Sequence, residues 1–435
     1  MHHAPSILPR KYKGLFSRLA LGAIIATALV GCAAGRVEVA SFYDTTGQQA
    51  ALGTPAARGA ELAASQSRVR TASYDTKSSP DESRAAAERA LRTAAVGMGA
   101  TDSDIALPAA RAFAAAGRAF FIAGATDPTL PERCGRGAYM VAFGDDAQAV
   151  AAADFIKGRF GARTLVVADE KYDYTRVLAA FFTRAYTKNG GKVVDRIDPR
   201  AQGFAREFTT LAGESRPDAV FLALEPDLIP TVLAAVRKAL PTTPLVGGDA
   251  FDFIGVERTD ASNAGAAGSG GGGLYFTTHA WLGDGASDAA REFAKAYRAR
   301  FGEEPTAFAA LGYDAARLAQ RVAALDADDE GDARGGDREA DDDDENENED
   351  EDEADDEDET EDDDHDRAGR DGAGPDLALV EQWLRILNPP FEGVTGTIRY
   401  DNGPVPDKDV WILEARGGRK SLAERVRPDR AKARK

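Results

Sequence analysis

The stretch that decides the fold reads Ala94-Ala95-Val96-Gly97-Met98-Gly99-Ala100-Thr101-Asp102-Ser103. A short apolar run enters a glycine turn, and hydroxyl and acidic side chains follow. The pattern returns about 20 residues later, where Ala119–Ile122 runs into Gly124-Ala125-Thr126-Asp127-Pro128. A loop at the carboxyl end of a parallel strand offers backbone N–H groups and short hydroxyls to an anion. Two such loops on neighbouring strands make a seat for a carboxylate, with glycine and alanine letting a ligand approach the backbone. Ordinary strand-to-helix turns fit the same spacing.

Outward from these turns, β-rich segments alternate with helical ones. Strands are expected at Val37–Phe42, Val69–Tyr74, Ala94–Met98, Ala119–Ile122, Thr164–Ala168, Lys192–Ile197, Ala219–Leu224, Pro244–Gly247 and Leu274–Thr277. Between them lie alanine-rich stretches with an apolar stripe, such as Ser83–Thr93, which Pro80-Asp81-Glu82 opens as a good helix start. The β-α-β-α order predicts an α/β fold of mostly parallel sheets covered by helices on both faces. Nine strands exceed one small sheet, so two similar Rossmann-like lobes are expected, with a boundary near Val141–Phe143.

Charge is concentrated in one segment. The chain of 435 residues carries −19 in all, whereas residues 341–366 alone carry −21, leaving +2 for the rest. Such like-charge density without apolar residues argues for a disordered, solvated insertion at 326–374. The spacing of an ordered calcium loop, with its central glycine, is missing from it. The basic residues 417–435 read as a tail able to contact that tract. Ala261–Gly273, rich in Gly, Ala and Ser, reads as a flexible loop.

The amino terminus reads as an export signal over residues 1–31. Arg10, Lys11, Lys13 and Arg18 precede the uncharged apolar run Leu19–Val30, which is short for a membrane span. Leu29-Val30-Gly31-Cys32 resembles the lipobox of bacterial lipoproteins, in which the cysteine is acylated. Cys32 is therefore the expected lipidation site and a bacterial cell envelope the expected location. Cys134, the other cysteine, has no intrachain partner and reads as structural.

Enzyme chemistry finds little support. The histidines are His2, His3, His279 and His365, and no nucleophile elbow, P-loop or Cys/His metal spacing is present. No catalytic residue, cofactor or metal is expected, and no basic, aromatic-interleaved face suggests nucleic acid.

The ordered motifs together resemble the type I periplasmic binding proteins of the leucine/isoleucine/valine-binding group. They are Ala50-Ala51-Leu52-Gly53, Gly124–Pro128, Lys171-Tyr172-Asp173-Tyr174, Pro217–Phe221, Gly247-Gly248-Asp249, Leu274–Thr278, Leu311–Ala315 and Phe391–Gly396. The resemblance implies two lobes joined by three crossovers, with a ligand cleft between them. Residues 32–141 and 279–325 would form lobe one, and 142–278 with 375–416 lobe two. It further implies that Ser103 and Thr126, helped by backbone at Gly124, Ala125 and Thr126, hold an α-carboxylate. Asp249 would take the α-ammonium, Tyr174 would act as an aromatic lid, and Leu52 and Phe308 would touch the ligand side chain. Glu225 departs from the pattern and is expected to face solvent; facing the pocket, it would favour a basic or polar ligand. The implied function is a lipid-anchored receptor delivering an amino-acid-like solute to an ABC permease. An envelope interaction or regulatory lipoprotein of the same fold, such as a cell-wall synthase activator, is the alternative, as is a sensor subunit.

Overall fold

The computed structural model describes residues 38–253, 272–333, 374–386, 390–416 and 419–434. The export signal with Cys32, residues 334–373 of the expected disordered insertion and most of the Gly/Ala/Ser stretch lie outside the described residues; the insertion's expected start is corrected, since 326–333 continue the helix Ala307–Ala333. The first lobe is built on a parallel sheet of β1 (Val39–Tyr43), β2 (Thr71–Asp75), β3 (Val96–Gly99), β4 (Phe120–Ile122) and β5 (Ala138–Met140). Their order is β2-β1-β3-β4-β5. The second lobe repeats it with β6 (Arg163–Ala168), β7 (Lys192–Ile197), β8 (Ala219–Ala223), β9 (Leu245–Gly247) and β10 (Leu274–Thr278), ordered β7-β6-β8-β9-β10. Parallel strands covered on both faces need continuous apolar runs rather than alternation. Leu165–Ala168 and Ala219–Leu224 supply them, fully buried.

Local chemistry fixes the helix starts that matter. The helix Pro80–Ala90 begins where Ser79 accepts from the Glu82 N–H, with Asp81 and Glu82 at the positive end of its dipole. The helix Ser103–Ala115 begins at Asp102, whose Oδ1 accepts from the N–H groups of Asp104 and Ile105. Gly99 is held at φ +135°, and a Cβ there would stand 2.1 Å from the Phe42 carbonyl of β1. The turn that opens the sequence reading is therefore closed to larger residues for a backbone reason.

Two assignments of the sequence reading are corrected. Residues 375–400 do not join the second lobe. The helix Leu377–Ile386 and the hairpin of β11 (Phe391–Gly393) and β12 (Gly396–Ile398) pack Val380, Leu384, Phe391, Ile398 and Tyr400 into the first lobe's core beside Tyr139 and Val141. The chain enters the second sheet only at β13 (Val410–Arg416), antiparallel to β10. Nor are residues 417–435 a solvated tail, because Arg419–Val426 forms β14, the edge strand beside β13. Its charged residues hid it from periodicity, and charge is what an edge strand carries to discourage further pairing. The three-residue β5, between glycine turns, was likewise too short to register.

The three crossovers meet. Phe143 on the first stacks on the His279 ring of the second at 3.8 Å between centroids. Lys408 on the third, buried, donates from Nζ to the Val141 carbonyl at 3.0 Å.

Beyond β14, Arg430 reaches back to Asp146, fully buried at the start of the helix Asp145–Arg159, with Nε 2.9 Å from Oδ2. Removing one member of a buried ion pair costs about 3 kcal/mol. Arg430→Ala should lower unfolding free energy by about that amount in urea denaturation. A loss below about 0.5 kcal/mol would mean that the C-terminal segment contributes nothing to the fold.

Candidate functional site: the interlobe crevice

Both sheets point the carboxyl ends of their strands at the same gap. In a parallel sheet of this order, ligands bind where the strand order reverses, outside those ends. The residues that line the gap come from equivalent loops of the two lobes. After β1, β3 and β4 come Leu52, Thr101–Ser103 and Gly124–Thr126; after β6, β8 and β9 come Tyr174, Glu225 and Asp249. Phe308, early in the helix Ala307–Ala333, completes the wall. The eight ligand-contact candidates of the sequence reading, Leu52, Ser103, Gly124, Ala125, Thr126, Tyr174, Asp249 and Phe308, all line this one crevice.

The lobes are in contact across it. Gln49 Nε2 donates to Glu225 Oε2 at 2.9 Å, and Gln48 Nε2 donates to the Tyr172 hydroxyl at 2.7 Å. The cavity left is about 20 Å³, room for one or two waters. A solute of amino-acid size therefore requires the lobes to part.

On the first-lobe side, Ser103 is buried and its hydroxyl has no partner, and the same holds for Thr101. Gly124 differs from expectation, since its N–H already donates to the Ala100 carbonyl at 2.9 Å. Its lack of a side chain serves Phe308 instead, whose ring would lie 3.2 Å from a Cβ.

On the second-lobe side, Asp249 is the centre of a hydrogen-bond network. Its Oδ1 accepts from the Tyr174 hydroxyl at 2.7 Å and from Gln148 Nε2 at 3.0 Å, and its Oδ2 faces His279 Nε2 at 2.9 Å. Gln148 also donates to Asp145 Oδ1 at 2.8 Å, while its Oε1 accepts from Thr277 and from the Asp249 N–H. Burial works against the Asp249 carboxylate, yet the bonds from His279, Tyr174 and Gln148 outweigh it and hold its pKa below the usual value. Burial lowers the pKa of His279 against the pull of the Asp249 carboxylate, and its Nδ1 is left without a partner. Asp145 goes the other way: burial, and Asp249 nearby, raise its pKa. Two adjacent acids are thus shifted in opposite directions. Gln148, Asp145 and His279 escaped the sequence reading. His279 was visible there as an isolated histidine after a strand, but nothing local tied it to Asp249.

Glu225 also corrects the sequence reading. It is 2% exposed, lines the crevice and leaves Oε1 without a partner. Burial, and then the Asp102 charge facing it, raise its pKa well above the carboxylate norm. Cys134 is buried, and burial pushes its thiol up to about 11, in keeping with a structural role. Among the described residues no group of acidic, histidine or cysteine side chains could hold a metal ion, and no helix is long and apolar enough to cross a membrane.

A family model described as periplasmic binding protein matches residues 36–334. Among solved structures, a leucine binding protein LivK from Thermotoga maritima superposes with a TM-score of 0.69 at 23% identity, covering 90% of this chain and 99% of that one. A branched-chain amino acid transporter substrate binding protein LivJ from Streptococcus pneumoniae, in complex with isoleucine, gives 0.69 at 20% identity, covering 91% and 100%. An ABC transporter solute binding protein from R. palustris, in complex with benzoate, gives 0.65 at 19%, covering 91% and 97%. No curated protein matches by sequence.

The electrostatics predict a pH dependence. Burial, followed by Asp104 and Asp44, raises the Asp102 carboxyl to about 7 against the two backbone N–H bonds it accepts. The folded chain therefore keeps a proton that the unfolded chain releases near pH ~4. That contribution is complete below pH ~4 and lost as pH rises through about 7. Asp102→Asn keeps the helix cap and removes the titration. Between pH 5 and 8, unfolding free energy should fall more steeply for the wild type than for this variant. Parallel curves in chemical denaturation would contradict the assignment.

Proposed function

The chain belongs to the periplasmic binding protein family, and on that footing we propose that it is an extracytoplasmic solute receptor for an ABC importer. Its lobes close on an amino-acid-like zwitterion and hold it without chemical change. The observation that carries this reading is the meeting of unpartnered hydroxyls from one lobe with the Asp249 carboxylate of the other, in a single crevice. A zwitterion needs donors at one end and an anion at the other. Ser103, with Thr101 beside it, suits the carboxylate, and Asp249 suits the ammonium, with its Oδ2 able to accept again beside His279; the Thr126 hydroxyl proposed for the carboxylate is already bonded to Asp145 and would have to leave it. Leu52 and Phe308 give an apolar wall, and Tyr174 holds Asp249 in place as well as closing the site. Closure is favoured when the ligand makes contacts with both lobes that the open form cannot make.

Leu29-Val30-Gly31-Cys32 supports a lipid anchor that keeps the receptor at the membrane facing its permease. Cys32→Ser should release the protein from the membrane fraction of expressing bacteria; unchanged retention would remove the anchor from the proposal. The tight cavity favours a second reading, an envelope interaction lipoprotein whose crevice no longer opens.

Hydrogen bonds to charged groups contribute roughly 1.5–3 kcal/mol, and about 1.4 kcal/mol is a decade in affinity. Asp249→Asn, close in shape, should therefore weaken amino-acid binding at least about tenfold in calorimetry. Equal affinities would reject the ammonium role. The second reading would replace the first if no solute raised the melting temperature of the wild type.

A further inference from the structure

The crevice is acidic beyond what a neutral amino acid requires. Of its twelve lining residues, Asp102, Glu225 and Asp249 carry carboxyls and none carries a basic side chain. Asp249 is already served by His279, Tyr174 and Gln148. Asp102 and Glu225 are not needed for the zwitterion. They stand on opposite lobes, after the equivalent strands β3 and β8, and line the same crevice. Glu225 has one oxygen on Gln49 and the other unpartnered while nearly fully buried.

An uncharged ligand side chain would leave the free Glu225 oxygen buried without a partner, and both carboxyls in the crevice without a cation. Either is costly in a dry site. A cationic nitrogen between them removes both penalties, because an opposite charge within about 4–6 Å favours the ionised carboxylate. We infer that the solute carries a second cationic group, a guanidinium or ammonium on its side chain, which Glu225 and Asp102 grip from opposite lobes. This rests on the receptor reading above and names its substrate class: basic amino acids rather than branched-chain ones. Because the two carboxyls belong to different lobes, the same cation also draws the lobes together. The selectivity site and the closing contact are then one feature.

Isosteric pairs test it. Arginine against citrulline, and lysine against norleucine, differ chiefly in the side-chain charge. By calorimetry with the purified full-length protein near pH 7.5, each cationic member should bind at least tenfold tighter than its neutral partner. In Glu225→Gln the arginine-to-citrulline ratio should collapse toward one, with circular dichroism reporting whether the variant is folded. The wild-type comparison decides the matter should that variant fail to fold. Neutral members binding as well as the cationic ones would overturn the inference and leave the receptor reading standing. Binding of neither kind, nor of leucine or isoleucine, would overturn both.

Discussion

Everything at the crevice depends on one topological constraint, parallel strands that run in the order 2-1-3-4-5 within each half. That order reverses beside the first strand, so the loops after the first, third and fourth strands are left facing outward together. In this chain both halves obey it, and the halves meet with those ends opposed. Leu52, Ser103 and Thr126 on one side answer Tyr174, Glu225 and Asp249 on the other, position for position along the two sheets. The crevice is the seam between two copies of one architecture, furnished differently. The first half supplies hydroxyls and one carboxyl, Asp102, and the second supplies Glu225 and Asp249.

The Asp249 network shows how such a site is kept ready. A buried carboxylate persists as a charge only when its oxygens are supplied with donors. Here the donors come from three elements: Tyr174 from the helix after β6, Gln148 from the helix after the first crossover, and His279 from the second crossover itself. His279 also stacks on Phe143, and Lys408 ties the third crossover to Val141. The segments about which the lobes must turn are therefore bonded directly to the candidate ammonium site. A ligand that reorganises Asp249 acts on the hinge without an intermediary.

The same residues explain why the acids in and beside the crevice are shifted in opposite directions. Asp249 has three side-chain donors and is shifted toward the charged form, whereas Asp145, beside it, has fewer and is shifted toward the neutral form. Glu225 and Asp102 lack a compensating cation and are also pushed toward the neutral form.

Much of this was legible in the sequence. Apolar runs ending in glycine turns gave the parallel strands, since period and punctuation are local properties of the chain. The ordered motifs gave the two-lobe architecture and the eight crevice residues, from Leu52 to Phe308. What depends on distant partners was not legible. Glu225 reads as a surface acid until the first lobe brings Gln49 and Asp102 to it. Asp249 shows no sign of His279, which lies 30 residues away, or of Gln148, 101 residues away. The strand Arg419–Val426 looks like a basic tail because its pairing is with β13 and the partner of Lys420, Asp252, lies far away in sequence. Local sequence determines which elements form and which loops they present; only the packed structure decides which charges are buried together, because desolvation and pairing belong to the assembled neighbourhood and to no single segment.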